Sequence, residues 1–355
     1  MKLLDRKYYN LQPKWSYISD KYILGLAWKK SDGFIRSHNW YADLLSLDNT
    51  TFSIGNKINY WSNKIKELNF SNNELHLIPA PKSAKWFIEK AKKSQKPKWT
   101  QKKEDRKLRP LANIDIEDQT IATAITMCLA DALETRQKNC SLIEQDYTDH
   151  ITNCVVSYGN RLLCDWENGV ARFRWGGSEF YRKYSSDYRA FLQRPISIGR
   201  ETQKKVSTAD EVYIVNIDLK NFFGSIKIDL LFDQLERIAS KHYENENKSN
   251  YVHDSMFWIR AKSVFSWDWS TDSKKIADSL DIPTSVGLPQ GLASSGALSN
   301  AYLIGFDEKI VEKVGSEISD SKIKLHDYCR YVDDLRFVVS GESIEKEHIK
   351  NTIEK

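Results

Sequence analysis

The stretch YCRYVDDLRFVV, residues 328–339, places two adjacent aspartates between two short apolar runs. The flanking residues favour strands, and aspartate is common in tight turns because its carboxylate accepts hydrogen bonds from nearby backbone amides. A hairpin is therefore the simplest interpretation. The same turn is also a rigid place from which Asp333 and Asp334 can offer oxygen ligands to a divalent cation. That second interpretation predicts a third carboxylate on a neighbouring strand.

A candidate for the third carboxylate is Asp218, within VYIVNIDLKNFFGSI, residues 212–226. This segment is β-branched and apolar on both faces, which predicts a central, buried strand. A buried, unpaired carboxylate costs several kcal/mol. We therefore expect Asp218 to face a cation, to be enclosed by hydrogen bonds or to lie at the end of the strand.

Residues 287–300, GLPQGLASSGALSN, combine a turn with a run of small residues. Pro289, Gln290 and Gly291 favour the turn, and the small residues lead into a helix that continues through Phe306. A turn with no further role is one interpretation. The other is that Gly291 lets the backbone approach a ligand closely.

Other segments predict the remaining architecture. Residues 109–134, RPLANIDIEDQTIATAITMCLADALE, carry an apolar residue every fourth position after Asp115, which predicts an amphipathic helix capped by that aspartate. Residues 136–210 resemble an insertion with a helix near 178–193. Residues 228–265 alternate helical pattern with the polar loop KHYENENKSN, and the following SVFSWDWSTDSKK is predicted to be another loop or a short hairpin.

Composition sets broad limits. The 355 residues are 41% hydrophobic and 28% charged, with a net charge of +5. No apolar run approaches the ~18 residues needed to span a bilayer, and the start lacks a signal-peptide core, so we expect a cytoplasmic protein without a membrane partner. Five cysteines without CxxC spacing favour reduced, mostly buried thiols over disulfides or a zinc site.

Two regions are unusual in composition. Residues 91–109 concentrate lysine and arginine around a tryptophan, which is typical either of a solvated linker or of a loop that grips phosphates. The first 95 residues hold many of the 11 tryptophans, most of which we expect to anchor the core rather than to stack on bases. The tryptophans in this region are Trp15, Trp28, Trp40, Trp61 and Trp86.

The order of these patterns resembles that of reverse transcriptases. IDLKNFF resembles the family's motif A, GLPQGLASSGALSN its motif B and RYVDD its motif C, while RPLANIDIEDQTIATAI resembles its fingers segment. The resemblance covers roughly residues 100–340. It implies an α+β right-hand polymerase whose antiparallel palm sheet packs on helices.

The same resemblance implies a division of the chain. We expect an N-terminal Trp-rich extension leading into the fingers over 1–95, fingers with an insertion over 96–210, and a palm with motifs A, B and C over 211–355. No segment matches the family's thumb. Either the chain is the front portion of a longer polypeptide, or a second subunit supplies the thumb, or the chain is not an active polymerase by itself. A partner subunit or a homo-oligomer is therefore among the expected partners.

The resemblance also implies a metal site. Asp218 and Asp333 would bridge two Mg²⁺ ions, for which Mn²⁺ can substitute, Asp334 would sit beside them, and the carbonyl of Leu219 would complete the triphosphate-bound metal. Three carboxylates this close repel one another and raise each other's pKa values, so a cation is expected to be required.

The substrate-binding residues follow from the same match. Phe223 corresponds to the residue under the incoming sugar, where its ring would clash with a 2′ hydroxyl and select deoxynucleotides. Gln290 and Gly291 would border the nascent base pair. Arg109 matches the triphosphate-binding arginine, and Lys102 is the candidate for its lysine partner.

Within the family, the motifs resemble prokaryotic enzymes of the defence-associated and abortive-infection kind, with retron and group II intron enzymes as neighbours. The expected function is a DNA polymerase in anti-phage defence that adds dNTPs to a 3′ hydroxyl, RNA-templated or untemplated. Its expected partners are RNA and the DNA product. One alternative is a non-catalytic RNA-binding scaffold, and another is a palm-fold RNA polymerase, which Phe223 disfavours.

Overall fold

The computed structural model describes residues 11–37, 43–67, 71–82, 86–89, 96, 98–101, 108–141, 147–245, 251–318, 322–342, 348–349 and 351–352. These residues form helices and antiparallel strands. The helices are α1 (Trp15–Ile18), α2 (Lys21–Ser37), α3 (Leu44–Phe52), α4 (Ile54–Lys66), α5 (Ile116–Gln137), α6 (Thr148–Thr152), α7 (Tyr184–Gln203), α8 (Phe222–Ser225), α9 (Ile228–Asn245), α10 (Ser255–Val264), α11 (Thr271–Ser279) and α12 (Ser295–Val311). The strands are β1 (His76–Pro81), β2 (Trp86–Glu89), β3 (Lys98–Gln101), β4 (Leu108–Asn113), β5 (Cys164–Glu167), β6 (Val170–Phe173), β7 (Asp210–Asp218), β8 (Lys324–Tyr331) and β9 (Asp334–Glu342).

The strands that carry the three candidate aspartates form one antiparallel sheet in the order β7-β9-β8. The predicted hairpin is therefore present, as β8 and β9. The prediction that residues 212–226 form a central buried strand is wrong: within the described residues β7 pairs only with β9, and its residues alternate between more and less exposed positions. The central strand is β9, where Phe337, Val338 and Val339 are buried.

Helix α5 lies at the centre of the core. It begins where the sequence predicts, with the Asp115 carboxylate accepting a hydrogen bond from the Glu117 amide at 2.8 Å. The prediction of an amphipathic helix is wrong, because nearly all of its residues are buried, on every side. Its polar residues are satisfied locally: for example, the Thr120 hydroxyl donates to the Ile116 carbonyl at 2.7 Å.

The N-terminal region is helical and packs on α5. The Ser31 hydroxyl of α2 donates to the Thr123 hydroxyl at 2.8 Å inside the core. Trp61 is buried, and Trp15 and Trp28 pack against the same core, as expected of anchoring aromatics. The two other tryptophans named above, at positions 40 and 86, have side chains outside the described set.

Two predicted segments differ from the structure. The helix expected near 178–193 is α7, which begins at Tyr184 and continues to Gln203 through an internal proline, and a β5–β6 hairpin precedes it. The segment expected to be a loop or hairpin contains α11, whose first turn is capped by the Ser270 hydroxyl, which accepts from the Ser273 amide. Capping by serine explains why a polar stretch forms a helix there.

The mixed helical and antiparallel architecture agrees with the expected α+β class. All five cysteines are free thiols, and four of them are buried, as the sequence predicts. None of the described helices combines the length and apolarity required to span a bilayer. The division into segments 1–95, 96–210 and 211–355 stays a prediction.

Candidate active site

The site is built where β7 and β9 meet at one end of the sheet. Asp218, the last residue of β7, pairs directly with Asp334, the first residue of β9. The next amide along, that of Leu219, donates to the Asp333 carbonyl at 3.1 Å. Asp218 and Asp334 are exposed and Asp333 is half-buried. Two backbone connections therefore place the three carboxylates at adjoining positions.

Residues 156–159 form hydrogen bonds with the strand that leads into the aspartate turn. The Arg330 amide donates to the Val156 carbonyl at 2.8 Å, and the Tyr158 amide donates to the Arg330 carbonyl at 3.0 Å. Val332, at the turn, has a φ of 57°, an unusual value for a β-branched residue. A Cβ added to Gly159 would lie 2.6 Å from Val332 Cγ2, so only glycine lets this segment approach so closely.

A buried polar network joins the turn to α12. The Arg330 guanidinium donates to both carboxylate oxygens of Asp307 and, at 2.7 Å, to Asn300 Oδ1. The Asn300 amide donates in turn to the Gly159 carbonyl at 2.6 Å. Because both partners in the Arg330 network come from α12, the aspartate turn and that helix are fixed relative to each other.

Burial and mutual repulsion raise the pKa values of two of the carboxyls. Burial raises the pKa of Asp333 most, and the charges of Asp334 and Asp218 raise it further, while Arg109 opposes them. The pKa of Asp334 is raised by burial and then by Asp218, against the influence of Arg336 and Lys82. A divalent cation would relieve this repulsion.

Oxygen donors on adjoining strand ends are the ligands that Mg²⁺ and Mn²⁺ prefer, so the donor set fits such ions. In the part of the chain that the structure describes, no three acidic, histidine or cysteine side chains converge closely enough to hold a metal as they stand. The fit therefore depends on the chemistry and backbone placement of the donors.

The turn at 289–291 is clamped between β4 and α5. The Ala112 amide of β4 donates to the Gln290 carbonyl at 2.7 Å, and a Cβ on Gly291, whose φ is 129°, would lie 2.3 Å from the Ala112 carbonyl oxygen. The Gln119 amide group donates to the Gly291 carbonyl at 2.8 Å and accepts from the Ala293 amide at 2.9 Å. Gln119 thus fixes the turn through two backbone groups.

Phe223 lies between the aspartate strand and this turn. The Leu288 amide donates to the Phe223 carbonyl at 3.0 Å, and the side chain of Phe223 is half-buried. Its neighbour Phe222 is buried, with the two ring centroids 5.6 Å apart. Phe222 is therefore a core aromatic, whereas Phe223 remains partly accessible.

Comparison with known proteins decides the family. A family model described as "Reverse transcriptase (RNA-dependent DNA polymerase)" matches residues 100–355. The chain belongs to the reverse transcriptase family.

Within this family, the chain is similar to the Retron Ec83 reverse transcriptase of Escherichia coli. The two are 34% identical over 133 residues, which make up 38% of this chain and 34% of that protein. The similarity thus spans about a third of the retron enzyme. The expectations of a prokaryotic reverse transcriptase and of a right-hand polymerase fold are confirmed. Reverse transcriptases generally use divalent metal ions and bind RNA templates and dNTPs.

Most site residues predicted from the reverse transcriptase motifs adjoin one another. Asp218, Asp333, Asp334 and the Leu219 backbone form the strand-end cluster, and Arg109 is close enough to lower the pKa of Asp333. The turn at 289–291 is hydrogen-bonded to the strand that carries Arg109. Lys102 lies outside the described residues.

Four residues near the site were not predicted from the sequence. Lys82 and Arg336 act on Asp334 through their charges, Gln119 clamps the turn, and Gly159 supports the hairpin. Lys82 follows an apolar strand directly, which was an available signal. Nothing local in the sequence distinguishes Gln119 or Gly159, because their partners are 170 or more residues away along the chain.

Proposed function

We propose that this chain is a metal-dependent DNA polymerase that adds deoxynucleotides to a 3′ hydroxyl, RNA-templated or untemplated. The observation that carries the proposal is the pairing of Asp218 with Asp334 beside the Asp333–Leu219 backbone hydrogen bond. Membership of the reverse transcriptase family supports the reaction class.

The proposed roles follow from the donor chemistry. Asp218 and Asp333 would hold two Mg²⁺ ions or two Mn²⁺ ions, with Asp334 beside them and the Leu219 carbonyl as a further ligand. When bound, such ions lower the pKa of the attacking hydroxyl and stabilise the leaving pyrophosphate. The raised pKa values of Asp333 and Asp334 support this assignment, since grouped carboxylates ionise together more readily beside a cation.

Cationic side chains from the strands before the site are proposed to bind the triphosphate. Arg109 suits this role because its planar guanidinium can donate two hydrogen bonds to one phosphate. Lys82 suits it as a compact positive charge. Both influence the carboxyls electrostatically, which supports their placement. Lys102 stays a prediction for the same role.

Selection of the nucleotide is assigned to two groups. Phe223 is proposed to exclude the 2′ hydroxyl of a ribonucleotide, since its half-buried ring packs edge-on against the buried ring of Phe222. Gln290 and Gly291 are proposed to border the nascent base pair. RNA and the DNA product are the proposed partners, and the similarity to a retron reverse transcriptase is consistent with a proposed role in anti-phage defence.

The test is incorporation of labelled dNTPs by the purified chain with Mg²⁺ or Mn²⁺, with and without RNA. We expect product from the unaltered chain and none from Asp333→Asn or Asp334→Asn. The matched control is Asp210→Asn, at the opposite end of β7, ~26 Å along the strand, which should retain activity. Absence of product from a folded, RNA-binding chain would favour the scaffold, and preference for ribonucleotides would favour an RNA polymerase.

A further inference from the structure

A two-stranded ribbon formed by β2 and β3 exposes apolar side chains. Ile88 and Trp99 are directly paired across the ribbon and therefore share one face. Their side chains are 53% and 62% exposed, so nothing in the described part of the chain covers them. A two-stranded ribbon is only marginally stable on its own. An exposed aromatic on such an element is suited to a ligand with a flat apolar face.

The ribbon lies in the most basic part of the chain. Residues 82–109 contain twelve lysines and arginines against three acidic residues, a net charge of +9. The whole chain carries +5, so the remainder is net negative. Lys96 and Lys98, beside Trp99, are exposed, with Lys98 on the opposite face of its strand from Trp99. This concentration of charge complements a polyanion and disfavours an apolar or cationic partner.

The chain path places the ribbon close to the aspartates. It is inserted between β1 and β4, which pair with each other; Lys82 directly follows β1, and Arg109 is the second residue of β4. Lys82 influences the charge of Asp334, and only three residues separate Lys82 from the start of β2. Four extended residues span at most ~14 Å. The near end of the ribbon therefore lies within ~14 Å of Lys82.

We propose that the β2–β3 ribbon binds single-stranded polynucleotide, with a base stacked on Trp99 and phosphates paired with Lys96 and Lys98. The inference deepens the proposed function and rests on it for the identity of the strand as substrate or template. Single strands are favoured over duplexes because only unpaired bases expose a face for stacking. Ile88 extends the apolar surface next to Trp99.

The first test measures binding without catalysis. The full chain carrying Asp333→Asn is titrated against fluorescein-labelled 15-nucleotide oligo-uridine, oligo-thymidine and a blunt DNA duplex, with fluorescence anisotropy as the readout. Trp99→Ala should weaken binding of the single strands ~5- to 150-fold, and Trp99→Phe should retain most of the affinity. The matched control is Phe52→Ala, whose side chain is 90% exposed on α3 and should not contribute.

The second test measures the phosphate contacts. Exchanging both Lys96 and Lys98 for Gln should reduce the slope of log affinity against log salt by ~1.4. The matched control exchanges Lys57 and Lys66, exposed on α4, for Gln and should leave the slope unchanged. A similar loss of affinity for oligo-uridine and oligo-thymidine would support stacking without recognition of the sugar. A loss of affinity for oligo-uridine alone would support RNA-specific binding by the ribbon.

Three outcomes would overturn the proposal. They are unchanged oligonucleotide binding by Trp99→Ala, equal affinity for the duplex, and self-association that Trp99→Ala abolishes while oligonucleotide binding persists, which would identify a protein contact instead. Because these assays use a chain without Asp333, failure of the ribbon is distinguishable from failure of polymerisation, which is measured separately on the unaltered chain.

Discussion

The guanidinium of Arg330 and the carboxylate of Asp307 form a buried pair, with Nε donating to Oδ1 at 2.9 Å and Nη2 donating to Oδ2 at 2.7 Å. Arg330 lies on β8, two residues before the aspartate turn begins to reverse the chain, and Asp307 lies on α12. The pair therefore joins the hairpin that carries Asp333 and Asp334 to the helix that follows the turn at 289–291.

Removing one partner of this pair should be costly. Asp307→Asn leaves a buried, uncompensated guanidinium, and we expect the free energy of unfolding to fall by about 3–5 kcal/mol. Urea denaturation followed by circular dichroism measures this change. Asp272→Asn, at an exposed position of α11, is the control and should change stability by less than about 0.5 kcal/mol. Similar effects at the two sites would contradict the assigned role of the pair.

A methyl group at position 159 should displace the aspartate hairpin. Gly159→Ala places a Cβ 2.6–2.9 Å from atoms of Val332 and Tyr331, so we expect primer extension to fall by about tenfold or more while helical content persists. Gly176→Ala is the control, since a Cβ there meets nothing within 4 Å. The amount of primer extended by one dideoxynucleotide measures activity, and circular dichroism spectra measure helical content, in both variants. Full activity of Gly159→Ala would show that the hairpin tolerates the shift.

Loss of the Gln119 side-chain amide should loosen the turn at 289–291. Gln119→Leu leaves the Gly291 carbonyl and the Ala293 amide without their partner, at a cost of about 1–3 kcal/mol in stability. We also expect the KM for dNTPs to rise, because the turn borders the proposed nucleotide site. Gln119→Glu keeps the acceptor for Ala293 but sets a second oxygen against the Gly291 carbonyl at a buried position, so it should not restore the KM. An unchanged KM with lowered stability would restrict Gln119 to a structural role.

Phe223 should determine sugar selectivity. Phe223→Val removes the ring but retains an apolar side chain, so discrimination against ribonucleotides should fall by about tenfold or more. Phe223→Tyr keeps the ring and should preserve discrimination. Single-nucleotide incorporation kinetics with matched dNTP and rNTP pairs measure the ratio of kcat/KM values. Equal discrimination by the unaltered chain and both variants would show that another residue determines sugar selectivity.

Acid should destabilise the fold through His150. Burial, and then the charge of Arg194, lowers the pKa of His150 from 6.5 to about 4. Between these values the unfolded chain binds a proton that the folded chain does not, so stability is complete above pH 6.5 and is lost as the pH falls toward 4. At pH 5 the loss is about 2 kcal/mol by this relation.

The variant His150→Gln tests that assignment. It lacks the titrating ring, so its free energy of unfolding should change less between pH 7 and pH 5 than that of the unaltered chain. Tyr158 hydrogen-bonds to the ring, and Arg194 stays in place through its pair with Asp327, so the substitution removes the titrating group and leaves its charged neighbours where they are. Parallel pH profiles for the two proteins would exclude His150 as the source.

Sequence patterns predicted the elements whose signals are local. Asp115 and the four-residue apolar spacing predicted the start of α5, and the two apolar runs around Asp333 predicted the β8–β9 hairpin. Both depend on hydrogen bonds and periodicity within about one or two turns of chain. The burial of α5 on all sides was not predictable in this way, because it depends on helices and strands from the whole chain packing around it.

The composition of β7 did not predict its position at the edge of the described sheet. Its apolar residues suggest burial on both faces, but Ile214 is 38% exposed, and within the described residues β9 rather than β7 occupies the centre of the sheet. The supporting contacts of the site were inaccessible for a related reason: Gln119 meets Gly291 across 172 residues. Motif order predicted which residues meet, and distant tertiary contacts determine how they are held.

Nine consecutive backbone pairs run from Asp210 and Glu342 to Asp218 and Asp334. Side chains alternate along each strand, so gaining or losing one residue inside β7 or β9 would turn every later side chain to the other face. Such a change would redirect a carboxylate even if the new residue lay at the far end of the strand. Length variation among relatives should therefore be confined to the segment before β7, at 204–209, where an added residue leaves this pairing intact.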